Sequence, residues 1–167
     1  WTRDIQKQLL IKTADCLPIL VTSSTRKQIW AIHAGWRGAL DGVVQSAVDT
    51  MVSLGADPAD MVAAVGPCIG PLSYEVGLEF LNRFEADAPG SGVFFQPGSA
   101  EDKRLFDLPA FVLWRLEQAG VADAAWTGDD TRTDKHTLKQ ALHYLEKYQP
   151  KFLWISLGET DDYAHEG

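Results

Sequence analysis

This sequence predicts a fold that mixes β-strands with α-helices (α/β or α+β), and three stretches carry that expectation. Residues 17–22 (LPILVT) and 28–33 (QIWAIH) are apolar runs of strand length, joined by the polar SSTRK, which has no apolar periodicity. Residues 39–54 place Leu40, Val43, Val44, Ala47, Val48 and Met51 at helical spacing on one face. Residues 61–65 (MVAAV) form a short buried strand between the Asp57–Pro58 turn and a Gly/Pro-rich stretch.

The remaining elements follow in order. QLLIK at residues 8–12 is a short apolar run that reads as a strand entering the corner at Cys16. Gly55 supplies the stop for the 39–54 helix, because glycine adopts the left-handed backbone that ends helices at little cost. GPCIGP at 66–71 reads in two ways. It is either a tight turn that places the next helix, or a pocket wall where glycines at Gly66 and Gly70 let a ligand approach the backbone. It has no Gly-Lys-Ser/Thr ending, so it is not a phosphate loop. Residues 74–84 read as a helix with Leu78, Phe80, Leu81 and Phe84 as its apolar surface. A Gly-, Pro- and acid-rich loop at 87–102 holds one hydrophobic island, Val93–Phe94–Phe95, expected as a small strand. Residues 104–106 form a strand, and Asp107 is the expected N-cap of a helix over 108–119 ended by Gly120. Beyond Trp126, TGDDTRT leads to an expected helix at 134–148 and a buried strand at 151–158. These divide the chain into a core at 1–126 and a helix–strand segment at 127–167.

Composition narrows the function classes. A chain of 167 residues fits one domain with room for a proper core. Net charge is −8, from 23 acidic against 15 basic residues, a surface that repels a phosphate backbone; nucleic acid is not an expected partner. No apolar run is long enough to cross a bilayer, and WTRDIQKQ is not a signal peptide, so no membrane partner and a cytoplasmic location are expected. Two cysteines are too few for a disulfide-stapled scaffold. The first residue is not Met, and residues are expected upstream.

Cys16 precedes the first strand and His33 closes the second. If those strands pair antiparallel, the start of one lies beside the end of the other, so a thiolate and an imidazole face a common point. Asp15, Trp36 and Arg37 stand nearby. One further donor would make a three-ligand zinc site with an open fourth position, the catalytic pattern. A buried space-filling cysteine and an edge histidine form the competing, purely structural reading. HAGWRG places cationic Arg37 and Gly38 at the expected start of the 39–54 helix, where a phosphate or carboxylate is stabilised.

TADCLPIL, AIHAGWRG, AAVGPCIGPLSYEVG and RLFDLPAFVLWRLEQAGV, in that order, closely resemble the YfiH-like or laccase-domain family over residues 1–125. The resemblance implies a mixed β-sheet core flanked by helices, with the N-terminal part of the family pattern missing. It implies a zinc site of a Cys and two His, in which the Cys matches Cys16, the second His matches His33, and the first lies upstream of residue 1. It also implies phosphorolysis of adenosine and related purine nucleosides, often with adenosine deamination. Substrate and phosphate contacts are then expected at Arg37, Gly38, Gly66, Cys68 and Gly70, with Asp15 orienting His33 or touching ribose. Members have also been described as polyphenol oxidases, so the alternative is copper at the same Cys16/His33 pair acting on phenols. Four histidines (His33, His136, His143 and His165) are too few for a blue-copper site plus a trinuclear cluster in one chain. A third reading is an incomplete, inactive fragment.

After Trp126 the family's Cys-Thr and Phe-Ser-x-Arg-Arg motifs do not follow. Residues 127–167 instead resemble an internal segment of the alkaline-phosphatase superfamily, whose Asp-x-x-x-His metal pair matches Asp161 and His165. Carboxylate and imidazole suit a divalent cation, and a solvated acidic terminus is the competing reading.

Overall fold

The computed structural model describes residues 1, 9–23 and 28–126. Its first hairpin is the one the sequence marks out: β1 (Leu17–Ser23) pairs antiparallel with β2 (Gln28–Ala34), Leu17 opposite Ala34 and Ser23 opposite Gln28. On its other side β1 pairs antiparallel with β3 (Met61–Val65), and β3 pairs parallel with β7 (Asp123–Trp126). The order β2-β1-β3-β7 is a mixed sheet with β1 inside it. Strand periodicity then sorts the faces. Leu17, Ile19 and Val21 join Trp30, Ile32, Ala34, Met61, Ala63 and Val65 in the core. On the opposite face Thr22, Ile29, His33, Val62 and Ala64 are exposed.

Helices α2 (Val43–Ser53) and α4 (Leu108–Gln118) cover the inner face, α2 against β2 and α4 against β3 and β7. Val44, Val48 and Met51 of α2 and Phe111, Val112 and Leu116 of α4 are buried there. A second, smaller sheet of order β4-β6-β5 is built from β4 (Glu75–Gly77), β5 (Phe95–Pro97) and β6 (Lys103–Phe106). It flanks α3 (Leu78–Asp87), and an aromatic cluster joins this sheet and α3 to α4, which packs on the larger sheet. Phe84, fully buried, meets Phe80, Phe95, Phe106 and Phe111 at centroid distances of 4.8, 5.6, 4.7 and 5.0 Å. Truncating such a ring to alanine costs about 3–5 kcal/mol.

Several sequence expectations change. The 39–54 helix is two helices: α1 (Trp36–Leu40) starts earlier, and Gly42, at φ +90°, breaks the chain before α2. Apolar spacing is blind to that break because Leu40, Val44 and Val48 stay buried on both sides of it. Residues 9–12 form no strand. Residues 74–77 are extended rather than helical, because Val76 pairs with Arg104 and the Phe106 N–H donates to the Tyr74 carbonyl at 2.9 Å. Gly77 then caps α3. Val93 and Phe94 belong to a 3-10 turn (Ser91–Phe94), and the strand begins at Phe95. β7 was not foreseen. Asp107 does cap α4, accepting from the Ala110 N–H at 2.8 Å, and Gly55 and Gly120 take positive φ at the expected stops. The expected 134–148 helix, the 151–158 strand, Asp161 and His165 lie outside the described residues.

Gly42 and Gly38 should respond oppositely to alanine. At φ +90° a Cβ is strained by about 1–2 kcal/mol, so Gly42→Ala should lower the urea midpoint. Gly38 lies within α1, where an added Cβ would sit 3.6 Å from Val43 Cγ1, an ordinary contact. Gly38→Ala should therefore raise stability by up to about 1 kcal/mol. Equal effects at the two positions would contradict the break at Gly42.

Candidate functional site

Because β1 runs antiparallel to both neighbours, its beginning lies beside the ends of β2 and β3. Five chain segments converge there. Cys16 precedes β1, His33 lies near the end of β2 with Gly35 just beyond it, the 66–70 stretch leaves β3, and Tyr74 and Asp107 approach from the second sheet and the start of α4. His33 stands opposite Pro18, so Cys16, two residues before Pro18, shares its face and is its diagonal neighbour. The contact with Gly35 supports this: a Cβ built on Gly35 would lie 3.0 Å from Cys16 Sγ. Any side chain there would push the sulfur aside, so the glycine makes room for it.

Cys16 is half-buried and His33 exposed. Burial pushes the Cys16 thiol up from its ordinary value, and the Asp15 carboxylate adds to the shift. Asp15 is exposed, and its carbonyl accepts from the Ile69 N–H at 3.1 Å. Cys68 donates its thiol to the Ile69 carbonyl at 3.4 Å. It is pushed up to about 12, first by burial and then by the charges of Asp107, Cys16 and Asp15. Tyr74 is also pushed up to about 12, by burial and then by Cys16, Asp15 and Cys68. Tyr74, absent from the sequence-based site, is near enough to Cys16, Asp15 and Cys68 to feel their charges, and its ring packs edge-on against Phe106 at 5.6 Å. The signal was available, since SYEVG alternates as a strand does, but the helical reading of residues 74–84 hid it.

Arg37 is exposed, and its guanidinium rests 4.9 Å from the Trp36 ring centroid, with Arg83 on the same indole at 5.2 Å. The anion-binding helix start expected at Ala39 is absent: Ala39 lies inside α1, and its N–H donates to the Gly35 carbonyl at 2.9 Å. Gly38 packs toward Val43. Gly66 is buried, and its N–H is taken by the Pro18 carbonyl at 2.9 Å. That bond extends the β1–β3 ladder and leaves no Gly66 donor for a ligand. Gly70 is buried, with its carbonyl accepting from Ser73.

Diagonal neighbours in an antiparallel pair lie about 7–8 Å apart. A zinc ion about 2.3 Å from a sulfur and 2.0–2.1 Å from an imidazole nitrogen can bridge two side chains that lean together across such a diagonal. Cys16 and His33 fit as two donors of such a site. Among the described residues no group of three or more His, Cys, Asp or Glu side chains is arranged to hold a metal. Also among the described residues, no helix is long and apolar enough to cross a membrane.

Comparisons with known proteins place this architecture. The family model described as multi-copper polyphenol oxidoreductase laccase matches residues 1–139. The purine nucleoside phosphorylase of Rickettsia conorii is 35% identical over 141 residues, covering 83% of this chain and 58% of that protein. The purine nucleoside phosphorylase YfiH of Escherichia coli K12 is 37% identical over 156 residues, covering 87% and 58%. A crystal structure of a Neisseria meningitidis protein superposes with a TM-score of 0.60 at 34% identity, over 70% of this chain and 46% of that one. The fold and the converging β1 corner define a laccase-domain architecture. The chain belongs to this laccase-domain, YfiH-like family, and it spans about 58% of the length of these curated relatives.

The raised thiol and phenol set a pH dependence. The folded state holds the Cys68 and Tyr74 protons more tightly than the unfolded chain, whose ordinary values are 9.0 and 10.0. Their contribution is therefore complete below about pH 9 and is lost as pH rises toward 12. Urea unfolding at about pH 8 and about pH 10.5 should show stability falling, and Cys68→Ala should make the fall shallower. An identical fall in both proteins would contradict the placement of Cys68.

Proposed function

We propose that this chain carries the metal-binding corner of a zinc-dependent purine nucleoside phosphorylase that also deaminates adenosine. The observation that carries the reading is the β1–β2 register, which sets Cys16 and His33 on one face of the sheet. Relatives named purine nucleoside phosphorylase, 35% and 37% identical, support the substrate class. Cys16 and His33 would hold the zinc, with a further histidine from upstream of residue 1. Bound there, zinc supplies a Lewis acid and an activated water.

The chain's own residues then divide the work. Arg37, exposed and oriented by Trp36, holds the phosphate oxygens through charge-assisted hydrogen bonds. Tyr74 keeps its proton at neutral pH, because its pKa is pushed up to about 12, and so offers an O–H donor beside Cys16. Cys68, protonated for the same reason, lines the wall without acting as a nucleophile. Asp15 either orients His33 or contacts the ribose. In phosphorolysis a phosphate oxygen bonds to the ribose C1′ as the bond from C1′ to the purine nitrogen breaks. Deamination replaces the amino group using water and needs no phosphate site. Copper at the same two donors, acting on phenols, is the alternative suggested by the name of the family model.

Arg37→Ala should weaken phosphorolysis of adenosine about ten- to a hundredfold, the loss of one charge-assisted contact worth roughly 1.5–3 kcal/mol. Deamination should change far less. Cys16→Ala should abolish both together. Steady-state assays of adenosine with and without phosphate check this, and equal losses of the two reactions in Arg37→Ala would make Arg37 structural.

A further inference from the structure

We propose that the groove between α4 and the outer edge of β7 is filled by the chain's own residues 134–158, a helix laid beside α4 and a strand added parallel to β7. Ala110, Leu113, Trp114 and Glu117 of α4 stand at positions i, i+3, i+4 and i+7, which is one stripe of the helix. With Asp123 and Ala124 of β7 they line a groove of about 530 Å³. This stripe is separate from the one α4 buries in the core, where Leu108, Phe111, Val112 and Leu116 pack, and Leu113 and Trp114 are only half-buried. Successive residues of a strand point to opposite faces of the sheet, so a groove lined by both Asp123 and Ala124 lies at the strand's edge. Among the described residues β7 pairs with β3 alone, which leaves that edge open. An apolar helix stripe beside an open strand edge fits a helix and a strand arriving together.

The sequence after Trp126 supplies both, in that order. Residues 134–148 carry Leu138, Ala141, Leu142 and Leu145 at the same i, i+3, i+4, i+7 spacing, and residues 151–158 are the apolar run KFLWISLG. At about 1.5 Å per residue the expected helix is about 22 Å long, enough to run back along α4 and return the chain to the start of β7. Handedness then fixes the face. β3 and β7 are parallel neighbours, and the connection between them crosses the inner face as α4. Parallel crossovers are right-handed in about 98% of cases, so a second one stepping outward in the same direction lies on the same face, beside α4. Charge agrees with this placement. Glu117 and Asp123, the charged side chains of the groove, are both acidic and sit where α4 ends and β7 begins. The turn from helix to strand arrives at that end with Lys147 and Lys151.

Neither metal nor nucleoside takes part in this packing, so its test is separate from that of the function proposed above. Nuclear Overhauser measurements on the 167-residue chain, labelled at leucine methyls and tryptophan rings, should show Trp114 ring protons in contact with methyls of Leu138, Leu142 or Leu145. Hydrogen exchange followed by mass spectrometry should find residues 151–158 as protected as β3. Leu142→Asp should speed exchange about tenfold or more at 123–126 and 151–158, while Leu17–Ser23 keeps its protection. If that variant unfolds throughout, the contacts and protection in the unmodified chain still decide the matter. No contact from Trp114 to 134–148, or rapid exchange across 151–158 in the unmodified chain, would overturn the proposal. Contacts seen only between differently labelled copies in a mixed sample would overturn it too, and would assign the groove to a second copy.

Discussion

The site depends on β1 being paired on both sides at once. A strand with one neighbour can slip by a residue at modest cost; β1 cannot, because Leu17, Ile19 and Val21 are fully buried and a slip would turn all three outward. Antiparallel pairing with β2 and with β3 fixes where their ends fall. His33, the Gly66–Gly70 stretch and Cys16 are 17 to 54 residues apart in sequence, yet they share one corner for this reason. Apolar burial on the inner face thus positions polar chemistry on the outer one.

The aromatic cluster provides the second layer of support. Phe84 and Phe106 bind the small sheet and α3 to α4, and that packing brings Tyr74 and Asp107 to the β1 corner. The cost of gathering these groups is electrostatic. Two thiols and a phenol are all held in their protonated forms by burial and by neighbouring carboxylates. A divalent cation reverses that logic, because it stabilises a thiolate directly. Asp15 and Asp107 thus act on these groups in a chain that already carries a net −8.

Much of this was legible in the sequence, and the omissions have physical causes. Alternating and continuous apolar runs marked β1, β2 and β3, and the Asp107 cap and the Gly55 and Gly120 stops followed from backbone chemistry. That Cys16 and His33 lie on one face of the sheet needed only the assumption of an antiparallel hairpin. The Gly42 break was hidden because two helices that bury the same stripe look like one. The helical spacing of Leu78, Leu81 and Phe84 extends misleadingly backward over residues 74–77, a strand whose partner, β6, lies 26 or more residues away. β7 escapes the sequence reading because DAAW is poor in β-branched side chains, and parallel pairing with β3 makes it a strand. The glycines of 66–70 were legible as a close backbone approach, but the partner of Gly66 is β1 itself rather than a ligand.

The central claim is that Cys16 and His33 act as one donor pair, and X-ray absorption at the zinc edge of the zinc-loaded chain tests it most directly. The account predicts one sulfur at about 2.3 Å and at least one imidazole nitrogen at about 2.0–2.1 Å per zinc, with the sulfur lost in Cys16→Ala and an imidazole lost in His33→Ala. A zinc shell of oxygen and nitrogen alone, unchanged by either substitution, would contradict it.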